Sequence, residues 1–260
     1  MAIWGVLHYL EGMEHALTRR NVLVLGAASM LAKPAMAAST RPVIVELFTS
    51  QGCSSCPPAD AFLQTLLNKS GVIPLSYHVD YWDYLGWRDT LGDPDYSQRQ
   101  SDYANTRGDK SVYTPQMVVN GRDHYVGSNR STVSDGISVA RAKAGADWID
   151  ISMSENKTDV MIEIAAADSA QEATLWLMAY TPSVSVEIKK GENAGNSVTY
   201  NNVVRKMVPA GMWHGEKAKL VLPRSSVIPE NCKGWVALLQ TGKVGPIIGV
   251  ATGGVAKTSS

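Results

Sequence analysis

Two cysteines, Cys53 and Cys56, are the residues of this sequence best suited to chemistry, and two serines separate them. Cysteines at this spacing can form a small disulfide that opens and closes by thiol exchange. A strand is predicted before them and a helix after them, so they are expected at a helix N-terminus. Unpaired N–H groups and the helix dipole stabilise a thiolate there. We therefore predict that Cys53, nearer the loop and solvent, is the nucleophile and that Cys56 resolves the mixed disulfide.

Two other roles fit the same pair of cysteines. One is an inert structural disulfide. The other is a copper site formed with His78 or His124, because thiolate and imidazole ligands suit copper. A zinc site would need a second pair of ligands. The only further cysteine, Cys232, is expected to be a small buried or partly buried thiol.

The segments around the cysteines alternate between strand and helix patterns. Residues 42–49 are β-branched and apolar, as in a buried central strand. From Ala59 the apolar residues recur with helical spacing, and the two prolines before Ala59 suit the first turn. The same criteria predict a strand at 72–79, a helix from Asp93 to about Thr106, a hairpin at 116–126 turning at Asn120-Gly121, and a helix at about 130–143. This order predicts an α/β fold with helices on both faces of a central sheet.

The second half of the chain has a different pattern. Short β-rich segments separated by turn residues are predicted at 148–154, 158–166, 173–181, 184–189, 202–208, 217–222 and 234–240. They indicate a mostly antiparallel domain similar to a β-sandwich. We therefore predict one domain over residues 41–145 and a second over 146–252.

Several side chains are predicted near the cysteines. His78 and Asp80 end the second strand, at the edge where open α/β sheets bind ligands. They are expected to tune the thiolate, although His78 equally fits a hydrogen-bonded core position. An aromatic loop follows, with Trp82 and Trp87 as candidates for substrate binding; its alternative role is packing against the second domain. The loop Gly191-Glu192-Asn193-Ala194-Gly195 either approaches the cysteines or forms an ordinary turn between strands.

The N-terminal segment, residues 1–37, has the features of a signal peptide. Arg19 and Arg20 precede an apolar run at 22–32 that is too short to span a bilayer, and Ala35-Met36-Ala37 fits a cleavage site. An uncleaved anchor is the alternative. We expect a periplasmic or secreted protein without stable membrane insertion after cleavage. The formal net charge of zero gives no indication of nucleic-acid binding, and no phosphate-binding loop or other cofactor motif is found.

The motifs as a set resemble those of a known family. The order of elements, the cysteine pair and Thr114-Pro115 resemble the thioredoxin superfamily. That resemblance implies a cis peptide bond at Pro115, a substrate-docking role for Thr114 and Pro115, and a buried acid, matched here by Glu46, that moves the proton of the resolving thiol. Gly52 stands where thioredoxins have tryptophan. More narrowly, ELFTSQGCSSCPPAD, HVDYWDYLGW, YTPQMVVNG and GENAG…YNNVVR are similar to a secreted bacterial family catalogued as domain of unknown function 1223.

Without the family resemblance, the sequence allows two environments for the Glu46 side chain. If it is desolvated, its pKa rises toward the range of a general acid or base. If it pairs with a lysine or turns toward the sheet edge, it has no such role. The predicted function is thiol–disulfide exchange with a protein or small thiol and a redox partner, without a cofactor. A copper-handling protein and a non-catalytic peptide-binding module are the alternatives.

Overall fold

The strand that precedes the cysteines organises the first half of the fold. In the computed structural model, which describes residues 41–143, 145, 147–168 and 172–254, β1 (Val43–Thr49) is buried along its whole length. It pairs in parallel with β2 (Val72–His78) and antiparallel with β3 (Gln116–Val119), which forms a hairpin with β4 (Asp123–Val126). A continuous apolar run suits this position because both faces of the strand are covered.

Helices cover both faces of this sheet, as predicted. On one face, α1 (Pro57–Leu66) and α3 (Arg130–Lys143) pack against Val45 and Leu47 of β1. On the other face, α2 (Pro94–Arg107) packs against Phe48. Because successive side chains of a strand point to opposite faces, the position of a residue on β1 decides whether it faces the helix that carries Cys56.

The second half of the chain extends the same sheet. The strands β7 (Ala173–Glu187), β8 (Ser197–Trp213), β10 (Gly234–Thr241) and β11 (Ile247–Gly254) give the order β11-β10-β7-β8-β2-β1-β3-β4. The two halves join where Ser76 of β2 pairs in parallel with Val203 of β8. The fold is therefore mixed α/β with one large mixed sheet, and the change of pattern predicted at residue 145 falls directly after α3, within one compact unit.

A smaller sheet covers one face of this second half. It consists of β5 (Ile151–Glu155), β6 (Asp159–Ile164) and β9 (Ala218–Pro223), followed by the single-turn α4 (Arg224–Val227). Val160 and Ile162 share an apolar core with Leu177 and Leu239 of the large sheet. The predicted strands at 148–154, 158–166 and 217–222 correspond to these three, whereas β11 was not predicted because its glycines weaken the strand pattern.

The longest hairpin differs from the prediction. The sequence predicts separate strands at 173–181 and 184–189, but β7 continues through Pro182. Strand β10 pairs with β7 only as far as Tyr180, so beyond it one side of β7 has no neighbouring strand among the described residues. A proline is tolerated on such an edge, where its missing N–H breaks no ladder bond. As a result, the β7–β8 hairpin extends past the sheet, and the turn at 188–196 reaches the N-terminus of α1.

The predicted signal segment, residues 1–37, lies outside the described residues. Within the part of the chain that the structure describes, no helix has the length and apolarity needed to cross a membrane.

Candidate redox site

The predicted cysteine pair forms a disulfide at the start of α1. Cys53 and Cys56 are bonded through their sulfurs, with their Cα atoms 5.4 Å apart. Cys56 is the N-cap residue of α1. Its carbonyl accepts hydrogen bonds from the N–H groups of Ala59 (2.8 Å) and Asp60 (3.1 Å), and its own N–H donates to the Cys53 carbonyl (3.2 Å). The placement at a helix N-terminus, which the sequence predicted, is confirmed.

Fewer unpaired N–H groups than expected are available at this helix terminus to stabilise a thiolate. Pro57 and Pro58 occupy the first two helical positions and have no N–H to donate. The next two N–H groups both bond to the Cys56 carbonyl. The electrostatic support for a Cys53 thiolate therefore comes from the peptide dipoles of α1 and from the Ser55 hydroxyl, 3.4 Å from the Cys53 sulfur.

The expectation that Cys53 lies near solvent is wrong for the disulfide state. Cys53 is 1% exposed and Cys56 is fully buried, although Ser54 and Ser55 between them are exposed. Two distant loops contact the residues around Cys53 and lie over this part of the chain. Access to the sulfurs therefore depends on those loops.

The first covering loop is the aromatic segment after β2. The indole N–H of Trp82 donates to the Thr114 hydroxyl (2.8 Å), and that of Trp87 donates to the Gln51 side-chain oxygen (2.8 Å). A Cβ atom on Gly52 would lie only 3.0 Å from the Trp82 Cβ, so a larger residue at position 52 would push this loop back by a few tenths of an ångström. Both tryptophans are half-buried, so of the two predicted roles, packing describes them in this state.

The second cover is the turn of the β7–β8 hairpin, residues 188–196, which we call the hairpin tip. The side-chain amide of Asn193 donates to the carbonyls of Gln51 and Cys53, at 2.9 Å each, and Asn193 is only 5% exposed. Gly191 packs against Trp87 of the aromatic loop. The loop at 191–195 therefore approaches the cysteines, which is the first of the two arrangements that the sequence allowed.

The Thr114–Pro115 segment lies beside the same helix terminus. Its peptide bond is cis, as the resemblance implied. Pro115 is buried, and both Pro115 and Ala59 of α1 pack around Gly127. The residues predicted to dock substrate, Thr114 and Pro115, are thus next to the first turn of α1. The Thr114 hydroxyl already accepts a hydrogen bond from Trp82.

Glu46, in contrast, is not brought to the cysteines. Its side chain lies on the α2 face of the sheet, where one carboxylate oxygen accepts from the Arg99 guanidinium (2.8 Å) and the other from the Tyr103 hydroxyl. Burial alone would lower the pKa of Arg99, but the charge of Glu46 outweighs it and holds that pKa above its ordinary value. Glu46 is therefore a structural ion-pair partner, and the predicted proton-transfer role does not fit its position.

The acid on the cysteine side of the sheet is Asp60. It lies one helical turn after Cys56, is 6% exposed, and neither carboxylate oxygen has a hydrogen-bond partner among the described residues. Burial raises its pKa to about 7; the charge of His78 and the nearby Thr49 hydroxyl lower it, and the charge of Asp89 raises it. The sequence contained a signal for this residue, since an acid on the apolar face of an amphipathic helix is unusual.

His78 and Asp89 form a buried pair near Asp60. The Nδ1 atom of His78 is 2.9 Å from a carboxylate oxygen of Asp89, which also accepts the Gln51 N–H (2.7 Å). Burial alone would raise the pKa of Asp89, but the charge of His78 and these hydrogen bonds hold it below its ordinary value. The Nε2 atom of His78 has no partner in the described structure. We call Asp60, His78 and Asp89 the buried polar cluster.

Asp80, predicted to tune the thiolate, and His124, a candidate copper ligand, lie apart from this cluster. Asp80 accepts a hydrogen bond from Ser97 of α2 and so belongs to the other side of the sheet. His124 lies on β4, where its ring contacts the Tyr113 hydroxyl (2.9 Å) and Asp109 (3.1 Å). No group of three His, Cys, Asp or Glu side chains suited to a metal occurs within the described ranges. Cys232 is a buried free thiol.

Comparisons with known proteins give a family and two structural neighbours. The sequence model described as protein of unknown function (DUF1223) matches residues 44–240. The crystal structure of protein AGR_C_4864 from Agrobacterium tumefaciens is 33% identical, with a TM-score of 0.72, and the match covers 85% of this chain and 97% of that one. HBP35 of Porphyromonas gingivalis is 11% identical, with a TM-score of 0.57 over 85% of this chain and 78% of that one, so this likeness concerns the fold alone. No match was found among curated proteins.

Proposed function

The chain belongs to the DUF1223 family of proteins of unknown function, and from that membership and the site geometry we propose that it is an exported thiol–disulfide oxidoreductase. The export step rests on the signal-like residues 1–37 and places the protein in the periplasm or outside the cell. An oxidising compartment suits a disulfide that takes part in exchange.

The proposed redox domain is thioredoxin-like. Its support is the order β1, α1, β2, α2, β3, β4, α3, with the cysteine pair at the N-terminus of α1 and a cis proline before β3. The strands of the second half, together with the three-stranded sheet that packs on them, correspond to the sandwich-like domain. In this proposal the second half contributes the hairpin tip to the site.

The exchange begins with the disulfide as it stands. A substrate thiolate attacks the Cys53 sulfur, the bond between Cys53 and Cys56 breaks, and Cys56 leaves with the electron pair as a thiolate. A second substrate thiolate then attacks the substrate sulfur of the mixed disulfide, which releases the oxidised substrate and the Cys53 thiolate. Two thiols are oxidised to one disulfide while the protein disulfide is reduced to a dithiol, and the reverse sequence reduces a substrate.

Asp60 is the group that we assign to the proton of Cys56. A buried thiolate is costly without a partner, and Asp60 is the unpaired acid one turn away. When Cys56 leaves, the carboxyl of Asp60 donates its proton to it, and in the reverse direction the carboxylate accepts that proton. A pKa near 7 allows both directions at neutral pH. The charge of His78 favours the carboxylate that this transfer leaves on Asp60, whereas the charge of Asp89 opposes it and keeps the pKa of Asp60 from falling further.

The observation that carries the proposal is the joining of Cys53 and Cys56 at a helix terminus beside an unpartnered acid. We predict that the Cys56→Ser variant accumulates mixed disulfides through Cys53, because the resolving thiol is gone. Mass spectrometry of the variant purified under acid quench would detect these adducts, and Cys53→Ser/Cys56→Ser is the matched control that should show none. A folded Cys56→Ser protein that carries no adduct would contradict the assignment.

A second candidate function follows from the burial of the pair. With Cys53 only 1% exposed, the disulfide also fits a structural staple in a non-catalytic binding protein. Structural disulfides have reduction potentials below about −300 mV, whereas exchange-active pairs have higher ones. Equilibration with mixtures of reduced and oxidised dithiothreitol would separate the two functions. Only an exchange-active pair would have a reduction potential in the range of thioredoxins and disulfide isomerases.

A further inference from the structure

The two loops that cover Cys53 suggest which thiols it accepts. We propose that Asn193 and Trp82 are specificity-determining residues that favour small thiols over thiols within a polypeptide. The inference rests on the proposed function and goes beyond it by naming a substrate class. It starts from the fact that both loops are attached by side-chain hydrogen bonds to the residues a substrate would have to approach.

The hairpin tip is attached at the position of the nucleophile itself. The side-chain amide of Asn193 donates two hydrogen bonds, one to the carbonyl of Gln51 and one to the carbonyl of Cys53. The tip is also tied internally, since the Gly195 N–H donates to the Ile188 carbonyl (2.8 Å) and the Ile188 N–H donates to the Asn196 carbonyl (2.9 Å). Displacement of the tip from the site therefore requires both Asn193 bonds to break.

The aromatic loop covers the site on the side of Thr114 and also contacts the hairpin tip through Trp87 and Gly191. Trp82 bonds to the hydroxyl of Thr114, the residue before the cis proline. The turn that carries Trp82 is closed by backbone bonds from Asp83 to Asp80 (3.0 Å) and from Leu85 to Trp82 (3.0 Å). An extended polypeptide lying along Thr114 would have to displace this indole.

The two covers act differently on small and large thiols. An attacking thiolate must reach one sulfur along the line of the S–S bond, which a small molecule can do through a brief opening of one loop. A cysteine within a polypeptide brings backbone on both of its sides, so both loops must stay open during the attack. The closed arrangement therefore slows polypeptide thiols more than small ones.

The test measures reduction of the Cys53–Cys56 disulfide by thiols of equal chemistry and different size. The probes are N-acetylcysteine amide and a fifteen-residue peptide with one central cysteine, with each rate expressed per thiolate. We expect the intact protein to react with the peptide on the order of tenfold more slowly than with the small thiol. Asn193→Ala should raise the peptide rate by about tenfold, because two hydrogen bonds are lost, and should leave the small-thiol rate nearly unchanged. Trp82→Phe, which keeps a smaller aromatic ring and loses the indole N–H, should act in the same direction more weakly.

Glu192→Ala is the matched control, because Glu192 is exposed in the same tip and should leave both rates unchanged. A peptide that reacts as fast as the small thiol in the intact protein would overturn the inference. Equal acceleration of both probes by Asn193→Ala would overturn it too, because the tip would then close the site without selecting by size. If neither probe reduces the folded protein, the proposed function fails as well, and this outcome is distinct from the other two.

Discussion

Replacing Arg99 with glutamine is expected to lower the free energy of unfolding by about 3–5 kcal/mol. The side chains of Arg99 and Glu46 are both fully buried, and their charges are 2.8 Å apart. The Arg99 guanidinium also donates to the Tyr103 hydroxyl (2.9 Å) and to the Gln240 side-chain oxygen (2.7 Å). Its loss leaves the Glu46 carboxylate buried beside the Tyr103 hydroxyl, without the positive charge that compensates it.

The control for this prediction is an exposed ion pair on the three-stranded sheet. Lys219 and Glu163 are 3.1 Å apart, with 58% and 49% of their side chains exposed. Lys219→Gln should change stability by at most about 1 kcal/mol, since solvent screens such pairs. Urea unfolding of both variants gives the comparison, and equal losses would contradict the burial argument. The double variant Arg99→Gln with Glu46→Gln should lose less than the sum of the two single changes.

The local part of the site could be predicted from the sequence. The strand at 42–49, the helix after Pro57 and Pro58, and the position of the cysteines between them depend on residues that are neighbours in the chain. The cis bond at Pro115 followed from the family resemblance. These features need no knowledge of distant contacts, which is why their prediction succeeded.

There is a physical reason why the sequence pointed to Glu46 as the proton-transfer acid and not to Asp60. A strand that is apolar on both faces shows no alternation, so the sequence of β1 does not indicate that Glu46 faces α2 while Leu47 faces α1. The position of Asp60 is less ambiguous, because a helix has one buried face and Asp60 lies between Ala59 and Leu63 on it. The same helical spacing that predicts α1 therefore also indicates that its buried face carries a charged residue.

The covering of Cys53 depends on contacts that no local pattern contains. Asn193 is 140 residues away from Cys53 in the sequence, and the contact requires β7 to continue through Pro182. A proline in a turn-like segment predicts a break unless the strand is known to lie at an edge. Cys53 is therefore less exposed than the helix terminus alone predicts, because the β7–β8 hairpin lies on that terminus.

Replacing Asp60 with asparagine is expected to have two effects of opposite sign. The first is a gain in stability at pH 8. The pKa of Asp60 is about 7 in the folded protein against an ordinary value of 3.8, so between these values the folded state holds a proton that the unfolded state has lost. The stability of the natural protein therefore falls as the pH rises from about 4 to 7, by at most about 4 kcal/mol. The asparagine variant lacks this fall, because its side chain does not titrate.

The second effect is slower proton transfer at Cys56, and it separates a chemical role from a structural one. We expect release of a fluorescent thiol from a mixed disulfide on Cys53 to slow by about a hundredfold and to lose its inflection near pH 7. Asp80→Asn is the matched control, because the Asp80 carboxylate is bound to Ser97 on the other side of the sheet and should alter neither measurement. A variant that is more stable but still releases the thiol at the natural rate would show that Asp60 is only a buried charge. The gain in stability together with the slower release is what a proton donor held at a cost in stability requires, since a buried acid without a role in proton transfer would show only the gain.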